Sequence, residues 1–142
     1  VIVGEGEKKR QIQNKIQEKN LQNCLLLPYQ PTEMLPHSLR AADIGVVTLD
    51  KNSSHSSVPS KTYNLFSVGA PILAICDRSS ELARLIVETQ AGEVYGENET
   101  ESILQFINEL HKNEDLLSKY RSKSLHASEW FTADNAKQFV PA

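Results

Sequence analysis

Four short apolar runs punctuate the chain: Val1 to Val3, Leu25 to Leu27, Ile44 to Leu49 and Pro71 to Cys76. They are continuous rather than alternating, the pattern of strands covered on both faces by helices. Helical spacing separates them. Ile12 and Ile16 lie one turn apart after Lys8-Lys9-Arg10, Met34, Leu35 and Leu39 mark a second helix, Leu65 and Val68 a third, and Leu82, Leu85 and Ile86 a fourth. Strand and helix in alternation predict a parallel sheet with right-handed crossover helices, an α/β fold. Ala91 to Tyr95 reads as a last short strand, followed by helices near Glu99 to Lys112 and Asn113 to His126, the first with Ile103, Leu104, Ile107 and Leu110 as its apolar stripe. Trp130-Phe131 then reads as a packing anchor before a short terminal helix.

Totals bound the function classes. At 142 residues, 39% apolar and 23% charged, the chain suits one ordinary globular domain. The net charge of -3 leaves no basic footprint for nucleic acid, and Lys8-Lys9-Arg10 shares its stretch with Glu5, Glu7 and Glu18 as a solvated helix face. Cys24 and Cys76 border apolar runs and read as small buried hydrophobes in a reducing compartment. Without a Cys-x-x-Cys pair, clustered histidines or an Asp-x-Asp, no metal is expected. No apolar run reaches bilayer length and no leader opens the chain, so a cytoplasmic location is expected. Val1-Ile2-Val3, with no methionine before it, reads as a strand already under way, hence as part of a longer protein.

Ligands of doubly wound sheets bind where strand carboxyl ends meet helix N-termini. Three loops qualify. Gly4-Glu5-Gly6 carries two of the three glycines of a dinucleotide fingerprint and serves equally as a tight strand-to-helix turn. In Pro28-Tyr29-Gln30-Pro31, Tyr29 offers an aromatic face and Gln30 an amide for a base edge, while the two prolines also suit a plain rigid turn. The third is the long loop Asp50 to Val58 leading into Pro59-Ser60-Lys61-Thr62-Tyr63-Asn64. Here Ser60 reads as an N-cap, and the amides of Lys61, Thr62 and Tyr63 read as unpaired donors at the positive end of a helix dipole. That is an anion site by construction. Lys61 adds a charge where a pyrophosphate could lie, and Asn64 could reach a sugar hydroxyl; an ordinary capped helix with an exposed lysine fits the same residues.

The run from Pro59 to Ile72, PSKTYNLFSVGAPI, resembles the nucleotide-sugar segment of family 4 of the retaining glycosyltransferases, enzymes with the GT-B fold of two facing Rossmann-like domains. Val1 to Gly6 (VIVGEG), Leu27 to Leu35 (LPYQP-x-x-x-L), Ala41 to Ile44 (AADI) and Gly69 to Ile72 (GxPI) match further pieces in order, with Gly92 and Trp130 as later landmarks. The resemblance covers nearly the whole chain.

It implies that residues 1–142 are part of the C-terminal, donor-binding half of a GT-B enzyme, cut at its N-terminal edge, with the acceptor domain and the first, usually central strand upstream. The substrate it implies is a UDP- or GDP-linked sugar, with no separate cofactor, and the acceptor a polysaccharide or lipid-linked sugar bound through that other domain. The full-length protein would then meet the inner membrane face only peripherally. Gly4, Tyr29, Gln30, Ser56, Ser57, Val58, Pro59, Ser60, Lys61, Thr62 and Asn64 are the implied donor contacts. The family's pair of glutamates, separated by seven residues, falls on Ser56 and Asn64, so both acids are replaced here. A nucleotide-sugar epimerase of related fold, and a Rossmann-like domain that binds without catalysis, are the alternatives.

Overall fold

A computed structural model describes residues 1–50 and 58–132. The chain divides into two compact units, Val1–Leu35 and Pro36–Ala142. In the first, β1 (Ile2–Val3) pairs in parallel with β2 (Leu26–Leu27), Ile2 opposite Leu26 and Val3 opposite Leu27, across the helix α1 (Lys9–Glu18). Ile12 and Ile16 are half-buried, as their spacing predicts, together with Lys9 at the start of α1. A 3₁₀ turn, Thr32–Met34, closes the unit.

The second unit opens with α2 (Leu35–Arg40) at its border and contains β3 (Gly45–Thr48), α3 (Ser60–Ser67), β4 (Ile72–Ile75), α4 (Glu81–Thr89), β5 (Gly92–Tyr95), α5 (Thr100–Lys112) and α6 (Glu114–Ser128), ending in a 3₁₀ turn, Glu129–Phe131. Its sheet has the order β3-β4-β5, all parallel, with Gly45 opposite Ile72 and Ile72 opposite Gly92. The alternating strand-helix reading holds throughout.

Burial refines it. The middle strand β4 is covered on both faces, as a continuous apolar run requires. β3 instead alternates buried and exposed residues, with Val46 exposed, and β1 is exposed at both positions. Among the described residues each of these two strands has a neighbour on one side only, so helices need not cover both of its faces.

The two faces of the three-stranded sheet bury separate cores. Ile72, Ala74, Val47 and Val94 pack with Leu65 and Phe66 of α3 and Leu82 and Ile86 of α4. Leu73 on the opposite face packs with Phe106 and Leu110 of α5, with Leu116, Leu117 and Tyr120 of α6 alongside. The buried stripe of α5 is therefore Ile103, Phe106 and Leu110, while Leu104 and Ile107 of the predicted stripe stand exposed. Steps of three and four residues put the former set on one side of the helix, about a third of a turn from Leu104 and Ile107.

Local signals set the helix ends. Ser80, 1% exposed, caps α4: its Oγ accepts from the Ala83 amide at 3.1 Å and donates to Cys76 Sγ at 3.4 Å. Ser80→Ala is expected to cost about 1 kcal/mol, the usual worth of such a cap, read by equilibrium urea unfolding; an unchanged midpoint would show the cap idle. α3 ends at Gly69, whose φ of +70° lets the Gly69 and Ala70 amides turn back to the carbonyls of Phe66 and Leu65. Cys76 is buried, which raises its thiol pKa, whereas Cys24 is exposed, contrary to the sequence reading. It lies in the turn ahead of β2, where no helix covers it.

Candidate functional site

The step from β3 into α3 decides what the second unit can bind. In a parallel sheet the helix that follows a strand starts at the strand's carboxyl end, so α3 presents its N-terminus on the ligand-binding side. Pro59, with φ -57° and ψ 132°, is its N-cap, and Ser60 is already its first helical residue. This corrects the reading of Ser60 as cap. Proline cannot offer a capping side chain, and none caps this helix.

The set of free amides changes with it. Thr62 donates its amide to the Pro59 carbonyl at 2.9 Å, so Ser60 and Lys61 are the residues whose amides lack an acceptor within the helix. Two amides, of Ser60 and Lys61, thus stand where three, of Lys61, Thr62 and Tyr63, were expected.

Three side chains complete this turn. Lys61 is exposed, yet enough protein crowds its stem and ammonium to hold its pKa below the ordinary lysine value, and among the described residues it has no ion-pair partner. Thr62 is fully buried and, among the described residues, its Oγ1 has no hydrogen-bond partner, which is costly for a hydroxyl removed from water. Asn64 is exposed one turn further on; Ser67 Oγ donates to its carbonyl at 2.8 Å, while its side-chain amide is uncommitted among the described residues. Val58 is half-buried against the α3–α4 core. Ser56 and Ser57 lie outside the described residues.

The other candidates occupy the first unit. Gly4, with φ +155°, follows β1 and donates its amide to the Leu27 carbonyl at 3.0 Å. Tyr29 follows β2 and is 71% exposed, its hydroxyl donating to the Glu5 carbonyl at 3.2 Å. The structure thus brings Gly4 and Tyr29 together at the carboxyl ends of β1 and β2. Gln30 is different, because its side-chain amide donates to the Pro28 carbonyl at 3.0 Å and is engaged in its own turn.

The reading of the sequence passed over the loops after β4 and β5. Arg78 reaches across to Glu99, with Nη2 at 2.8 and 3.0 Å from the two carboxylate oxygens, and this hydrogen-bonded pairing keeps the Glu99 carboxyl below its ordinary pKa. Both residues follow strand carboxyl ends, the one signal that could have singled them out. A cavity of about 360 Å³ is lined by Arg78 together with Gln90, Glu93, Leu116, Lys119 and Tyr120 among others, and holds none of the donor contacts read from the sequence. Burial, and then the 2.6 Å hydrogen bond to Glu93, raise the Tyr120 phenol above its usual pKa. Among the described residues no group of three histidine, cysteine or acidic side chains could hold a metal ion, and no helix is long and apolar enough to cross a membrane.

Known proteins are similar to this chain in sequence. The family model described as glycosyl transferases group 1 matches residues 1–126. The putative colanic acid biosynthesis glycosyl transferase WcaI of Escherichia coli is 29% identical over 84 residues, 59% of this chain and 21% of that protein. The probable glycosyltransferase WbjE of Pseudomonas aeruginosa is 33% identical over 72 residues, 51% and 18% of the two chains. The chitobiosyldiphosphodolichol beta-mannosyltransferase of Debaryomyces hansenii is 25% identical over 136 residues, 90% and 28%. The matches span only 18% to 28% of those relatives' lengths. With parallel β-strands alternating with helices as far as β5 and the family model matching residues 1–126, the chain belongs to the group 1 glycosyl transferases.

Proposed function

We propose that this chain is the donor-binding part of a glycosyltransferase that moves a hexose from a UDP- or GDP-linked sugar to a polysaccharide or lipid-linked acceptor, with retention of configuration. One observation carries the reading: the first turn of α3 puts two amides without helical acceptors beside a lysine without an ion-pair partner among the described residues, on the ligand side of a parallel sheet. Those are the groups a diphosphate needs.

As the donor bond breaks, negative charge builds on the departing nucleoside diphosphate, and fixed dipoles and cations lower the barrier because they are already oriented. The Ser60 and Lys61 amides and the Lys61 ammonium act there. Thr62 Oγ1, in the same turn, is buried with no hydrogen-bond partner among the described residues. Asn64, where the resemblance implies a glutamate, can bond a ribose hydroxyl but without the added strength of a charge. The names of the relatives, one a mannosyltransferase on a dolichol-linked sugar and one in colanic acid biosynthesis, support an acceptor of the same general kind. The activity belongs to the protein that joins this domain to an acceptor domain and works in the cytoplasm, at most peripherally on the membrane. These residues alone are expected to bind nucleotide weakly and to transfer nothing.

Calorimetric titration of the full-length protein with UDP, GDP and ADP tests the reading. One of the three is expected to bind, the base naming the donor; silence from all three would sink it. The uncharged Ser56 and Asn64 favour a second reading, nucleotide binding without transfer. Binding with no turnover of any UDP- or GDP-sugar would select it.

A further inference from the structure

The first turn of α3 has few polar ties. Among the described residues no side chain caps it, Lys61 has no ion-pair partner, and Thr62 Oγ1 has no hydrogen-bond partner. Packing must therefore hold it. Part of that packing comes from the far end of the second unit. α6 starts on the α5 side of the sheet, with Leu116, Leu117 and Tyr120, and ends on the α3 side, with Ala127 in the core beside Phe66.

On the way it ties itself to the amino ends of all three strands. Arg121 donates to Asp43 at 2.8 Å just before β3, Ser124 Oγ to the Ala70 carbonyl at 2.9 Å just before β4, and Tyr120 to Glu93 at 2.6 Å in β5. The 3₁₀ turn after it then sets Phe131 against α3. The Phe131 ring meets Tyr63 edge-on at 4.8 Å between centroids and stacks on Phe66 at 6.2 Å and 16°.

We infer that Phe131 is a positioning residue for the donor site, holding the first turn of α3 in place through Tyr63 so that the Ser60 and Lys61 amides face the diphosphate. The inference rests on the donor-site reading above. The geometry supports it in two ways. Tyr63 directly follows Lys61 and Thr62, so displacing its ring moves the backbone that carries the amides. And α6, anchored at three strands, gives Phe131 a fixed base from which to press.

Amide hydrogen exchange on the full-length protein tests this without assuming the ligand. In Phe131→Ala, exchange across residues 58–66 is expected to accelerate about tenfold, the scale of one lost aromatic pair, while Thr100–Lys112 stays as in the wild type. Phe131→Tyr should restore the slow rate, and Phe131→Leu, which keeps apolar bulk, covers the case in which the alanine variant does not fold. Affinity for the nucleotide that the wild type binds is expected to fall by about five- to tenfold in step with the exchange. Unchanged exchange at residues 58–66, or uniform acceleration through the whole domain, would overturn the inference. Local acceleration in a wild-type background that binds none of UDP, GDP and ADP would overturn both the donor reading and the positioning role built on it.

Discussion

Gly92→Ala is expected to unfold this domain or to cost more than about 4 kcal/mol, the range reserved for backbone or core collisions. Gly92 opens β5 directly opposite Ile72 of β4. A Cβ there would collide with the Ile72 carbonyl oxygen, and would lie 2.6 Å from its carbon and 2.8 Å from the Ile72 nitrogen. Those are main-chain atoms of the central strand, which cannot swing aside as a side chain can. Relief requires β5 to part from β4, and with it the ladder that runs from Gly92 to Tyr95. Circular dichroism and urea unfolding of the variant read the effect; a loss below about 1 kcal/mol would mean that the strands shift with little strain. The same geometry gives a physical reason for a glycine at a position that the family resemblance marked only as a landmark.

Lys61→Ala is expected to weaken nucleoside diphosphate binding by about ten- to a hundredfold, the scale of a charge-assisted hydrogen bond lost from a partly desolvated site. Partial burial already lowers the Lys61 pKa, and a bound diphosphate would raise it again. The sign of the pH effect follows. Where binding raises a group's pKa, its contribution to affinity is complete below the free-state value and fades as pH climbs through it. Wild-type affinity should therefore decline into the alkaline range, from below the ordinary lysine pKa. Lys61→Arg, which stays charged, should flatten that decline. Titration calorimetry across pH measures both, and equal affinity and transfer in Lys61→Ala would remove Lys61 from the site.

Much of the fold was legible because it is written in local windows. Each apolar run became a strand within a residue or so, and Gly69 and Pro71 stood where α3 had to stop and β4 begin. Periodicity was less reliable about faces: Leu104 and Ile107 read as core on α5, but Phe106 fills the place under the sheet. At the candidate site, the residue types from Val58 to Asn64 announced a helix start suited to an anion. Their roles shifted when Pro59 took the cap and Thr62 turned its amide back to the Pro59 carbonyl. Ser in front of a helix is a strong cap signal, yet a preceding proline, with φ fixed near its helix-entry value, lets the helix begin one residue sooner.

The sequence by itself determined the alternation of strand and helix, the glycines that the turns and the strand pairing demand, the family, and the presence of a charged helix start. Tertiary structure alone decided that β4 is covered on both faces while β3 is not, that α6 passes from one side of the sheet to the other, and that Phe131 rests on Tyr63. The reason is separation along the chain. Propensity and periodicity act over a few residues, whereas Tyr63 and Phe131, Asp43 and Arg121, and Ala70 and Ser124 meet only once the sheet has formed and given α6 its amino edge to cross.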